Sequence, residues 1–196
     1  MRQGRAERAC GRRPAHAAGR RSDRGRDRLS AKHLPGRIGR WFAWPSRTHW
    51  LKSLPVFLGG GGLLAAAAWT TGLTQWDPQP LTLATLGIIA LLFFVPSLLE
   101  EMLFRGALHP APDAPHRPLR ILVAAALFVL WHPLQVWSGI GPDWSALFVT
   151  PAFLACATIA ALTLGLLREI SGSLWPPVLF HWAMVAAWKL LLGGPF

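Results

Sequence analysis

Three residues at the end of an apolar run carry charge where a hydrocarbon setting penalises it. The stretch Leu98-Leu99-Glu100-Glu101-Met102-Leu103-Phe104-Arg105-Gly106 puts two adjacent carboxylates and a guanidinium after the apolar residues that begin near Leu81. Each ionisable side chain at bilayer depth costs ~2.5–3.5 kcal/mol on insertion scales, so a chain that keeps three together is expected to use them. On a helix, Glu101 and Arg105 lie one turn apart and meet, with the acid N-terminal to the base. Glu100 is turned ~100° away from Glu101. Arg105 then holds Glu101, and Glu100 is left to accept a proton. Two imidazoles, His132 and His181, also stand inside apolar runs. A carboxylate base with two imidazoles is a set that can activate water for hydrolysis. The same side chains are zinc ligands: Glu100, His132 and His181 would supply three of the three or four donors that zinc takes at ~2.0–2.2 Å.

Such a set works only if separate elements bring it together. Five apolar segments, at about 54–76, 81–107, 119–137, 145–167 and 173–192, are each near the length that spans a bilayer as a helix. The acidic pair lies on the second, His132 on the third and His181 on the fifth. Pro96, just ahead of Glu100, removes a backbone hydrogen bond and predicts a kink that opens the helix wall near the carboxylates. Ser173 is a candidate N-cap for the fifth helix, and Pro176 and Pro177 suit its first turn. In the first segment Gly59 to Gly62 and Ala65 to Ala68 are small enough to form a packing surface between helices. Counting residues from the inner helix ends, Glu100 and His181 sit roughly 10–13 Å deep and His132 about 20 Å, an offset of about two turns. A tilted or re-entrant third helix would remove it.

Charge is segregated along the chain. Residues 1–52 hold fifteen of the twenty Lys and Arg and three acids, whereas the remainder holds five bases and six acids. The expected architecture is therefore all-α: a polytopic transmembrane helix bundle of about five membrane segments with a basic tail. Residues 1–40 have too few aliphatic side chains to bury a core and are expected to be disordered. Residues 41–53 mix Trp41, Phe42, Trp44 and Trp50 with basic residues, as in a segment lying among lipid headgroups. Residues 54–196 form the membrane domain. The positive-inside rule places the tail in the cytoplasm, and the composition suits a bacterial plasma membrane. Lipid is the expected surrounding. Nucleic acid is not an expected partner, because no aromatic residue interleaves the arginines before Trp41. Cys10 and Cys156 lie in the tail and in an apolar run, which excludes a disulfide-built fold.

Three motifs carry a resemblance. Glu100-Glu101-Met102-Leu103-Phe104-Arg105 resembles the Glu-Glu-x-x-x-Arg motif of the CPBP family, the CAAX-prenyl-protease-like and bacteriocin-processing intramembrane proteases. Phe128-Val129-Leu130-Trp131-His132 resembles its Phe-x-x-x-His motif, and Ser173 to His181 resembles the segment leading into its third. The resemblance covers about residues 85–192. It implies an endopeptidase acting on a peptide or membrane-protein substrate through a glutamate-activated water, with Glu100, Glu101, Arg105, His132 and His181 as catalytic residues and no cofactor. Zinc is the alternative. The family's third motif usually reads His-x-x-x-Asn, and Val185 stands where the Asn would be. Losing such an oxyanion donor costs roughly 2.7–4 kcal/mol in the transition state. Trp188, seven residues beyond His181, carries an indole N–H on the same helix face. Two non-enzymatic readings stand beside the protease: a membrane adaptor or immunity or assembly factor that keeps the polar cluster for helix packing, and a proton or ion pathway.

Overall fold

The computed structural model describes residues 34–196, so the expectation for the tail lies outside the described residues as far as residue 33. Helix α1, Leu34–Trp41, occupies the end of the stretch expected to be tail. A short extended connection follows, and Ser46 accepts a hydrogen bond from the His49 backbone N–H to start α2, Arg47–Thr70. The aromatic residues of this connection dock on the start of the last helix. Phe42 and Trp44 lie 6.1 and 5.6 Å from the Trp175 ring, and the Trp175 indole donates to the Phe42 carbonyl at 3.0 Å.

The second apolar segment, Leu83–Ala107, is one span made of four pieces. Thr82 caps α3, Leu83–Leu92. The helix is then broken: Val95 is extended at φ −131° and ψ 113°, and the Val95–Pro96 peptide is cis. Wide π-helical turns at Phe93–Leu98 and Met102–Ala107 flank the short α4, Leu99–Glu101. Extended backbone is tolerated at membrane depth where it is buried or lines a cavity, and Val95 lines the cavity described below.

Helix α5, Arg117–Ser138, ends at Gly139 in the left-handed conformation. A 3-10 turn at Ser145–Val149 precedes α6, Pro151–Ser171, where Thr150 caps and Pro151 takes the first helical position. That cap explains why the helix starts later than periodicity places it. Helix α7, Trp175–Leu191, closes the fold. Four of these helical spans are long and apolar enough to cross a membrane. The fifth apolar segment is α7, whose 17 residues reach the short end of the spanning range.

Helix α6 is central. Leu164 and Leu167 on it are fully buried, in a cluster with Phe104, Phe128, Ala160, Ala161 and Phe180. Helix α2 approaches it through the glycine run. A Cβ built on Gly60 would lie 2.4 Å from Thr163 Cγ2, closer than atoms approach, so this crossing depends on a missing side chain. Gly59 and Gly62 meet no such neighbour, so the packing surface narrows to one face of the run.

Candidate active site

Three residues of the polar set meet at one cavity of about 620 Å³, walled mainly by apolar side chains. Glu100, His132 and His181 line it, and Glu101 and Arg105 stand behind them. The register comes from a ring contact. The Arg105 guanidinium lies 4.2 Å from the centre of the Phe128 ring, and Phe104 packs edge-on against the same ring at 5.3 Å. One turn outward from these are Glu101 on the second span and His132 on α5. The depth offset therefore resides in the helix ends. Arg105 lies two residues from the end of its span, whereas eleven residues of α5 precede Phe128.

Glu101 is completely buried. Its Oε1 accepts from Arg105 Nη1 at 3.0 Å and is 3.0 Å from His181 Nδ1. Arg105 also donates through Nη2 to the Ala161 carbonyl of α6 at 3.0 Å. The pairing of Glu101 with Arg105 follows from their spacing; the bond to His181, eighty residues away, does not. A buried guanidinium needs this much compensation, because removing one partner of a buried pair costs ~3–5 kcal/mol.

Glu100 has different surroundings. Its Oε1 accepts from the Trp131 indole N–H at 3.1 Å. Its Oε2 is buried, has no hydrogen-bond partner among the described residues, and lies 4.0 Å from His181 Nε2. His132 Nδ1 is 3.0 Å from the Phe128 carbonyl. A carbonyl only accepts, so Nδ1 carries the proton and the lone pair of the neutral ring lies on Nε2. The His132 ring is held edge-on by Phe128 and Phe148, at 5.1 and 5.3 Å. Phe128 contacts His181 in the same manner at 5.9 Å. One aromatic side chain thus touches both imidazoles and the guanidinium.

Sequence reasoning missed the Trp131 contact. A signal was present: an indole deep in an apolar run, away from the interfaces that Trp favours, needs a hydrogen-bond acceptor. Val185 and Trp188 both line the cavity. The Trp188 indole nitrogen is buried and has no hydrogen-bond partner among the described residues. It sits two helical turns beyond His181, ~10 Å along the axis. Among the described residues, no three His, Cys, Asp or Glu side chains are grouped to hold a metal ion.

Just beyond Arg105, at the same end of the second span, a polar clamp secures the connection to α5. His109 Nε2 and Arg117 Nη2 reach Glu169 Oε1 at 2.5 and 2.8 Å, and Arg168 Nε donates to the Arg105 carbonyl at 3.0 Å. Burial pushes the His109 imidazole below its ordinary range, against the pull of the Glu169 carboxylate.

No curated protein and no solved structure matches the chain. A family model does, over residues 82–187, which takes in the broken span, α5, α6 and α7 as far as Ala187. That model describes the type II CAAX prenyl endopeptidase Rce1-like proteins, and this chain, matched over more than half its length, belongs to that family.

Proposed function

We propose that the chain is an intramembrane endopeptidase in which Glu100 activates the attacking water. The observation that carries this reading is Glu100 Oε2, a buried carboxylate oxygen without a partner among the described residues, at the wall of a cavity large enough for a peptide. Water bound there gives its proton to Oε2 as its oxygen attacks the scissile carbonyl carbon. His132 Nε2, with its lone pair toward the cavity, accepts the second water hydrogen and orients the nucleophile. His181 donates through Nδ1 to Glu101, so it offers a hydrogen to a developing oxyanion only when Nε2 is protonated as well. Glu100 then returns its proton to the leaving amine, and the C–N bond breaks.

Glu101 and Arg105 are positioning groups. They fix His181 and balance charge without reaching the cavity. Trp188 stands too far along α7 to serve the scissile carbonyl. Its N–H suits a substrate backbone carbonyl about three residues away, since an extended chain rises ~3.3 Å per residue. The apolar walls favour a substrate that is hydrophobic or lipid-modified. With the basic tail inside, the catalytic end of the second span faces the cytoplasmic half of a bacterial plasma membrane.

The experiment is cleavage of a fluorogenic prenylated Cys-a-a-X peptide, alongside unmodified apolar peptides, by protein reconstituted in vesicles. Wild type cleaves one of these sets, Glu100→Gln and His132→Ala cleave neither, and both variants keep their fold. Cleavage by Glu100→Gln at the wild-type rate refutes the assignment. The glutamate reading also expects unchanged cleavage after strong chelation, whereas a zinc enzyme loses activity. A second reading, a packing knot in a non-catalytic membrane protein, draws on the complete burial of Glu101. It predicts that Glu100→Gln changes stability and that no peptide is cleaved.

A further inference from the structure

We propose that Trp131 is a positioning residue that selects which oxygen of Glu100 acts as the base. The proposal rests on the reading of Glu100 given above. The Trp131 indole N–H donates to Glu100 Oε1 at 3.1 Å, and Oε2 is left without a partner among the described residues, 4.0 Å from His181 Nε2. An indole nitrogen only donates, so this bond needs a carboxylate oxygen with a lone pair toward α5. It occupies Oε1 and fixes the rotation of the carboxylate, so that Oε2 alone keeps its lone pairs free for a water proton.

The placement follows from the helix. Trp131 and His132 are consecutive on α5 and their side chains diverge by ~100°. His132 turns toward Phe148 and Phe153, at 5.3 and 5.2 Å, and Trp131 reaches across to α4. One turn of α5 thus orients the base with one residue and the water with the next. Without the indole hydrogen, the carboxylate rotates about its terminal bond, whose torsional wells are broad. Either oxygen then faces the cavity, and the fraction of productive geometries falls. In the ionised form that its role as base requires, Glu100 is a charged acceptor in a site walled by apolar side chains, where hydrogen bonds to ionised groups are the strong ones.

The test replaces Trp131 with 3-benzothienylalanine, which keeps the ring shape and lacks the N–H. Trp131→Phe is compared with it. Both are assayed in vesicles on whichever peptide the wild type cleaves, with Glu100→Gln measured in parallel. The proposal expects kcat to fall ~10–100-fold in the isostere, with KM unchanged and the melting temperature near wild type. It also expects one indole proton resonance, identified by its loss in the isostere, to move upfield in Glu100→Gln. An unchanged kcat in the isostere, with Glu100→Gln inactive, overturns the role of Trp131 and leaves Glu100 as the base. A raised KM at unchanged kcat makes Trp131 a substrate contact and equally overturns it. Full activity of Glu100→Gln removes the reading of Glu100 and this proposal with it.

Discussion

Two adjacent glutamates should respond in opposite ways to the same one-atom change. Glu100→Gln keeps an acceptor for the Trp131 indole and replaces an unpartnered buried oxygen with an amide. The fold keeps the Glu101–Arg105 pair and loses only the 4.0 Å approach of Glu100 to His181 Nε2, so stability should stay within ~1 kcal/mol of wild type. Activity should fall by at least the ~10²–10⁴ that a general base contributes. Glu101→Gln keeps the shape but leaves the Arg105 guanidinium, 3% exposed, without its counter-charge, and weakens the bond that orients His181. Breaking a buried pair in this way costs ~3–5 kcal/mol. At ~2–4 °C per kcal/mol for a chain of this size, that is a drop of ~6–20 °C in melting temperature. The assay pairs thermal unfolding, followed by the fluorescence of the eleven tryptophans in detergent, with peptide cleavage in vesicles. A Glu101→Gln protein that melts with wild type would show that the buried triad does not hold the fold. A Glu100→Gln protein that melts as early as Glu101→Gln would make both carboxylates packing groups and end the catalytic reading.

Other outcomes follow from the same geometry. Trp188→Phe removes a donor two turns from His181 and should raise KM several-fold with little change in kcat; a selective loss of kcat would instead place that indole at the oxyanion. Val185→Asn introduces a donor at a position lining the cavity and should raise kcat, by up to ~10²-fold if the new amide reaches the oxyanion; no gain would mean that residue 185 is out of reach of the scissile carbonyl. Gly60→Leu forces α2 away from Thr163 and should cost ~1–3 kcal/mol in thermal unfolding, whereas Gly59→Leu, which meets nothing, should be near neutral. Because burial lowers the affinity of folded His109 for a proton, the unfolded chain binds that proton more readily, and stability should decline as pH falls from neutrality through the histidine range. His109→Gln should flatten that decline in a melting series, and a slope unchanged by the substitution would assign it to other groups.

Much of the architecture was legible in the residues themselves. Apolar length and the segregation of charge determine a helical membrane body, since backbone polar groups in hydrocarbon must pair within their own segment. The i,i+4 spacing of Glu101 and Arg105 determines their pairing, because a helix turn is a local property. Pro96 announces a break, because its missing N–H is covalent. Helix ends were less legible. The start of α6 moved to Pro151 because a Thr-Pro cap outweighs the apolar residues before it. Only tertiary packing decided the rest. The partner of Trp131, the bond from His181 to Glu101 and the shared Phe128 ring each join residues on different helices. Their meeting depends on where one helix slides past another. Close approach at Gly60 and the contact of Arg105 with Phe128 belong to that register, and no spacing along the chain encodes it. Spacing alone separates the roles of two adjacent carboxylates, but the indole that meets Glu100 and the imidazole that meets Glu101 were settled only in three dimensions, because they come from other helices.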